Sequence, residues 1–256
     1  MYPILLKLGP LTLYSYGLSL VVGLLLAAWL AARAARRLPP ELVAISPDQI
    51  ADFSCLGLLG GIVGGRLLYV LLEWRFFLES PLEIFAIWHG GLVWYGGFFG
   101  GVLTAWVYTR VKKLDFLRVM DHMTPFLALG HAVGRIGCFF NGCCYGRPTT
   151  AWCGVVFPGH PGPVLPTQLF EAAALFILYL LLRQLQRPPL LNRPGTILGV
   201  YLIGYAIMRF FMEFLRGDQL PWWGGLTLQQ WISLGMLLGG LIMLRPRLKT
   251  AVQWGR

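Results

Sequence analysis

Two arginines, four glycines and three cysteines crowd into residues 134–147, GRIGCFFNGCCYGR, directly after an apolar stretch. Thiols near histidines raise the question of a metal or redox centre. Cys138, Cys143, Cys144 and Cys153 follow a C-x4-C-C-x8-C spacing, with His131 and His160 nearby and Cys55 apart. Zinc sites favour C-x-x-C or C-x-x-H pairs, and c-type haem attachment needs C-x-x-C-H. Neither is present, so packing or a structural disulfide leads, with metal binding and redox chemistry behind it. The arginines raise a different question. Glycines permit tight turns and close backbone approach. Amide N–H groups freed at such turns, together with Arg135, suit a phosphate. The stretch reads as the mouth of an anion-binding cavity.

A second segment has the same character. In GYAIMRFFMEFLRGD (204–218), Tyr205, Arg209, Glu213 and Arg216 are spaced four, four and three apart, which predicts one face of a helix. His131 and Arg135 are also four apart. With Arg66, the arginines at apolar depth number four: Arg66, Arg135, Arg209 and Arg216. Each costs about 2.5–3.5 kcal/mol at the centre of a bilayer on insertion scales. Glu213, Asp121 and Glu171 are the carboxylates at hand to pair with them. Positive charge is left over, which points to an anionic ligand. The competing account of the stripe is an ion ladder that satisfies itself.

These groups must be positioned by elements that sit in lipid. Of the 256 residues 57% are hydrophobic and 12% charged, with a mean hydropathy of +0.65. Soluble domains carry roughly 25% charged residues. Spans of about 20 apolar residues cross a bilayer, and candidates run over 11–32, 51–72, 85–109, 118–140, 168–185, 196–216 and 226–244. The expected fold is all-α, a polytopic membrane protein of about seven transmembrane helices. Basic residues orient it. Arg33, Arg36 and Arg37, then Arg110, Lys112, Lys113 and Arg118, then Arg183, Arg187 and Arg193, then Arg245, Arg247, Lys249 and Arg256 fall on one side. The other holds only Lys7, Arg75 and Arg147. By the positive-inside bias the amino terminus lies outside and the carboxyl terminus in the cytoplasm. The net charge of +10 is then mostly topology, aided by attraction to anionic membrane lipids, and implies no nucleic acid. The first apolar run is too long for a signal peptide's core, and its basic cluster follows it, so it is a retained span. Residues 1–256 form a single transmembrane domain, with an outer loop around 146–167 placed to cover the cavity.

GHAVGRIGCFFNGCCYGRPT (130–149) resembles the signature of the bacterial prolipoprotein diacylglyceryl transferase family. YSYGLSLVVG (14–23), GGIVGGRLLYV (60–70), IWHGGLVWYGGFFGG (87–101), LPTQLFEA (165–172) and the 204–218 segment are similar to its other motifs, in order along the chain. The resemblance implies an enzyme that moves the diacylglyceryl group of phosphatidylglycerol to the lipobox cysteine thiol of a prolipoprotein. It forms a thioether and releases glycerol phosphate at the outer face of the bacterial cytoplasmic (inner) membrane. No metal and no cofactor are implied. Arg135 and Arg209 match the family's essential arginines, while Tyr16, Asn141, Gly146, Tyr205, Glu213 and Arg216 match positions lining or supporting the site. Arg66 and Gly134 fall within its motifs and join the substrate-binding set. Some members carry a histidine, proposed as the base, where this chain has Tyr95; His131 is the candidate substitute. Cys138 and Cys143 stand where others have asparagine and glutamate. Outside the resemblance, a small-anion transporter and a membrane redox or metal-binding protein using the cysteines are the alternatives.

Overall fold

Lipid as the surrounding solvent explains the most visible property of the surface. Large apolar side chains such as Leu25 and Val63 are 63% and 65% exposed on the outer faces of long helices, as a membrane-embedded chain requires. The computed structural model describes residues 3–8, 11–188, 190–217 and 219–253. Their long helices are α1 (Ser15–Ala35), α2 (Pro47–Leu72), α3 (Trp94–Val111), α4 (Phe116–Asn141), α5 (Thr167–Leu185), α6 (Thr196–Glu213) and α7 (Leu228–Gln253). Each coincides with an expected span. Helices α1, α2, α5 and α6 are long and apolar enough to cross a membrane by length and composition.

Three boundaries differ from expectation, each for a local reason. Residues 11–14 are not helical: strands β1 (Ile4–Leu8) and β2 (Leu11–Tyr14) pair antiparallel, and α1 begins at Ser15. The third helix begins at Trp94 rather than near residue 85. Before it lie a short helix Trp74–Glu79, 3-10 turns Pro81–Phe85 and Ile87–His89, and then Gly90 and Gly91 at φ +86° and +77°. Helix α6 stops at Glu213, so Arg216 lies in the turn beyond the helix and not on the expected stripe. Asp218 and Arg256 lie outside the described residues.

The chain divides into two compact units, Ala32–Val119 and Met1–Ala31 with Met120–Arg256. In the first, α2 and α3 approach to backbone contact. A Cβ at Gly64 would meet the Gly96 carbonyl and lie 2.8 Å from the Gly100 Cα. Small residues spaced four apart are how lipid-embedded helices gain van der Waals contact without a hydrophobic driving force. Ser46 starts α2 with a capping box to Gln49. In the second unit α1 meets α4 at Gly23 and Gly130, while α6 meets α7 at Gly199 and Gly240. Thr227 and Gln230 form the capping box that starts α7.

Helix α4 crosses its whole length despite Pro125. Proline has no N–H, which orphans the carbonyl four residues earlier, that of Asp121. The Gln186 side chain, at the end of α5, donates Nε2 to that carbonyl at 2.8 Å and to the His122 carbonyl at 3.0 Å. The Asp121 carboxylate caps α6: Oδ2 accepts from Gly195 N at 2.6 Å and Thr196 N at 3.2 Å, and Oδ1 from Leu198 N at 2.9 Å. A negative charge at a helix amino end also meets the positive pole of its dipole. One turn of α4 thus holds the ends of α5 and α6, all buried. Asp121→Ala should lower stability by about 1–2 kcal/mol, as lost caps do. Gln186→Leu should cost about 1–3 kcal/mol through the orphaned carbonyl. Thermal unfolding in detergent reads both, and a change in either variant indistinguishable from zero refutes the corresponding role.

Candidate active site

Four charged side chains from three helices form one alternating chain. Glu171 Oε2 of α5 lies 2.5 Å from Arg135 Nε of α4, and its Oε1 lies 3.6 Å from Arg209 Nη1 of α6. Arg209 Nη2 reaches Glu213 Oε2 at 2.8 Å. Glu213 is steadied by Thr227, whose hydroxyl donates to Oε1 at 2.7 Å. Helical spacing explains the pair on α6, where residues four apart face the same way. All of these side chains are at most 16% exposed. Charge at this depth is retained only when paired.

The pairing is incomplete in an informative way. Two arginines meet two glutamates, so the local balance is neutral rather than the expected positive surplus. Yet the contacts are poorly aligned: among the described residues, Arg135 Nε and Arg209 Nη1, and the carboxylate oxygens Glu171 Oε2 and Glu213 Oε2, are buried without a well-formed hydrogen bond. The 3.6 Å separation at Arg209 is electrostatic, since N–H···O bonds lie at 2.7–3.2 Å. A buried donor left without an acceptor costs about 1–3 kcal/mol or more when charged. An anion beside these guanidinium groups would supply the acceptor. His131 and Tyr205 stand at the same place, ring centroids 5.7 Å apart, both within electrostatic reach of Arg135 and Arg209.

The glycine-rich stretch works differently from expectation. Gly134 and Gly137 do not break the backbone; they lie inside α4. A Cβ at Gly137 would lie 2.5 Å from the Ser19 Cβ of α1, so this glycine serves helix packing. The turn comes at Gly142, φ +75°. Gly142 N donates to Phe139 O and Cys143 N to Cys138 O, both at 3.2 Å, the Schellman pattern that closes a helix. Gly146 N donates to Leu165 O and Arg147 N to Leu215 O. These amides are therefore engaged within the protein and do not form the expected amide pocket. Gly146 is required for close approach, because a Cβ there would lie 2.6 Å from the Leu215 carbonyl. Asn141 ends α4 beside Cys143, whose pKa is lowered by hydrogen bonding with the Cys138 and then the Cys144 thiol. Tyr16, at the start of α1, is in electrostatic reach of Arg135 and the same thiols.

Glu171, Thr167 and Gln168 are absent from the sequence-based site and belong in its frame. Thr167 Oγ1 donates to Cys144 O at 3.0 Å and Gln168 Nε2 to Cys143 O at 2.7 Å. One turn later Glu171 takes both arginines. The PTQLFE motif thus holds the turn with its first polar residues and the cations with its last. A deep carboxylate in a quoted motif was the available signal.

The unit Ala32–Val119 holds Arg66 and Tyr95. Tyr95, half-buried at the start of α3, packs edge-on against Trp94 at 5.4 Å. Arg66 has a different occupation from the expected substrate contact. Its Nε donates to Ile84 O at 3.0 Å, Nη1 to Gly90 O at 2.6 Å and Gly91 O at 3.2 Å, and Nη2 to Glu83 O and to Ala86 O at 3.4 Å. Guanidinium has five N–H donors; all five go to backbone carbonyls of residues 83–91. Arg66 is a positioning residue for that segment.

Apolar helices around a buried chain of arginines and glutamates define a membrane-embedded protein with an internal cluster of paired charges. The profile of the prolipoprotein diacylglyceryl transferase family matches residues 3–245. The phosphatidylglycerol–prolipoprotein diacylglyceryl transferase of Cupriavidus metallidurans is 38% identical over 255 residues, covering 94% of this chain and 91% of its own. That of Oleidesulfovibrio alaskensis is 38% identical over 261 residues, covering 98% and 95%. That of Photobacterium profundum is 40% identical over 256 residues, covering 94% and 92%. The chain belongs to the prolipoprotein diacylglyceryl transferase family, and it is a transferase. Neither the transporter nor the redox alternative draws support from the relatives.

Two substitutions test the frame. Glu171→Gln keeps the shape and removes the shared charge; it should cost about 3–5 kcal/mol, as breaking a buried pair does, read by thermal unfolding. Arg66→Lys replaces a five-donor fork with a point charge and should expose residues 81–91 to protease. Cleavage no faster than in wild type would remove the role assigned to Arg66.

Proposed function

We propose that this enzyme transfers the diacylglyceryl group of phosphatidylglycerol to the thiol of a prolipoprotein's lipobox cysteine, just after the signal peptide's apolar region. The sulfur attacks the glycerol carbon that bears the phosphate ester. The carbon–oxygen bond breaks, its electron pair leaves on the phosphate oxygen, and a thioether and glycerol phosphate result. The thiol proton passes to a base and then to the released phosphate or water. The observation that carries this reading is the buried Arg209 Nη1 beside Arg135, held by Glu171 at 3.6 Å but making no hydrogen bond, in a chain of this family. Both guanidinium groups would bind the phosphate and stabilise the charge that grows on the leaving oxygen, strongly because water is excluded. Glu171 and Glu213 hold the cations in register, so little reorganisation accompanies reaction. Tyr16, Gly134, Asn141, Gly146, Tyr205 and Arg216 line or support the headgroup site. His131 and Tyr95 are the two groups assigned to the proton. The outer loop 146–167 covers the site.

This reading places the chain in the bacterial cytoplasmic membrane with seven crossings, its amino end and site facing outward. The charge pattern supports it.

The deciding experiment uses purified protein in detergent with phosphatidylglycerol and a lipobox peptide, following glycerol phosphate release. Arg135→Ala and Arg209→Ala should each lower kcat by about 10²-fold or more, the scale for removing an oxyanion donor. Release indifferent to both arginines would sink the proposal. His131→Asn and Tyr95→Phe separate the two proton acceptors: the true base is the one whose loss abolishes the acidic limb of the pH–rate profile, where its protonation slows the reaction.

A further inference from the structure

The helix-closing turn at residues 138–144 does more than end α4. In a Schellman motif the side chains at C3 and C″ come together, and here those positions are Cys138 and Cys143. Cys144 follows with a left-handed backbone, φ +63°, unusual for a non-glycine residue. That conformation turns its side chain back, and its Sγ lies 3.7 Å from Cys143 Sγ. All three sulfurs lie within 4.8 Å of one another, Cys138 buried and the other two half-buried. The linear spacing concealed this convergence, because it depends on the Gly142 turn.

We propose that Cys138, Cys143 and Cys144 bind one thiophilic d10 cation, Zn2+, with a water in the fourth position. Tetrahedral Zn–S bonds of about 2.3 Å imply sulfur–sulfur separations of about 3.8 Å, matched by the 3.7 Å between Cys143 and Cys144 and within reach of the third sulfur, since all lie within 4.8 Å. A vicinal disulfide fits less well: consecutive Cα atoms are about 3.8 Å apart, short of the 4.4–6.8 Å disulfides favour. A second, independent observation concerns Gln168, which is 1% exposed. Its Nε2 donates to the Cys143 carbonyl at 2.7 Å, whereas Oε1 on the same amide has no partner among the described residues. A zinc-bound water is a donor of the kind that acceptor lacks, and such outer partners commonly orient what a metal holds. Binding exchanges three thiol protons for one dication and leaves one net negative charge, placed within one turn of Arg135 on α4. The cation would fasten the end of α4 to the start of α5. Its presence does not depend on whether the arginines bind a phosphate headgroup.

The test uses full-length protein in detergent, reduced, stripped with chelator and titrated with Co2+ and then Zn2+. One cobalt per chain with thiolate-to-cobalt charge-transfer absorption, displaced by Zn2+, is expected. Cys138→Ser, Cys143→Ser and Cys144→Ser should each weaken binding at least about tenfold, while Cys55→Ser and Cys153→Ser should not. Zn2+ should raise the thermal midpoint of wild type but not that of Cys144→Ser, whose half-buried position makes it less prone to misfold than the variant at buried Cys138. Absence of the cobalt absorption overturns the proposal, as does binding unchanged in all three serine variants. A Cys138–Cys143 disulfide in protein isolated without reductant, with no cobalt absorption after reduction, overturns it too.

Discussion

Glu171 meets an unusual demand: it faces guanidinium groups from two different helices at once. Removing a charge from water costs several kcal/mol per ion even after relaxation, so α4, α5 and α6 are bound to one another by the need to keep these charges together. Much else in that unit follows from it. Helix α5 must begin at Thr167 for its carboxylate to arrive at the right depth, and its first two polar side chains then fall against the Cys143–Cys144 turn. Helix α7 begins where Thr227 can reach Glu213. The site and the fold share the same bonds, so substitutions aimed at chemistry will often register in stability.

The interior is also deliberately imperfect. A salt-bridge chain with every donor aligned would be the more stable arrangement, and it would give an anion nothing to gain. Here the glutamates hold the arginines in place without using all their donors. Neutral balance keeps the buried charges tolerable in a low dielectric, and misalignment leaves donors of both arginines and acceptors of both glutamates unused. Neutralisation of charge and exhaustion of donors are different constraints, and this site meets only the first.

Periodicity and hydropathy located every long helix, because both report directly on how a residue meets lipid. The stripe of Tyr205, Arg209 and Glu213 was legible for the same reason, as was the association of His131 with Arg135. What could not be read depends on partners far along the chain. Arg216 leaves the stripe because α6 stops at Glu213, a decision made by the loop it joins. Gly134 and Gly137 look like turn formers until α1 packs against them. Arg66 looks like a substrate contact until a segment some twenty residues later wraps it. The three cysteines share no recognisable spacing, since a left-handed turn rather than helical period joins them. Local pattern reveals which face a residue occupies, and long-range geometry decides what it meets there.

Residues 83–91 have no ladder of strand or long-helix bonds, and their carbonyls converge on the tip of Arg66. In effect the segment is an ionophore whose ion is tethered to the scaffold. Like any chelate, it gives up its cation all at once or scarcely at all, since losing one carbonyl weakens the field holding the rest. Movement of residues 83–91 would then be felt at once in the carboxyl-terminal half of α2, which carries the arginine. A ligand arriving at that segment would meet one cooperative body instead of nine independent residues.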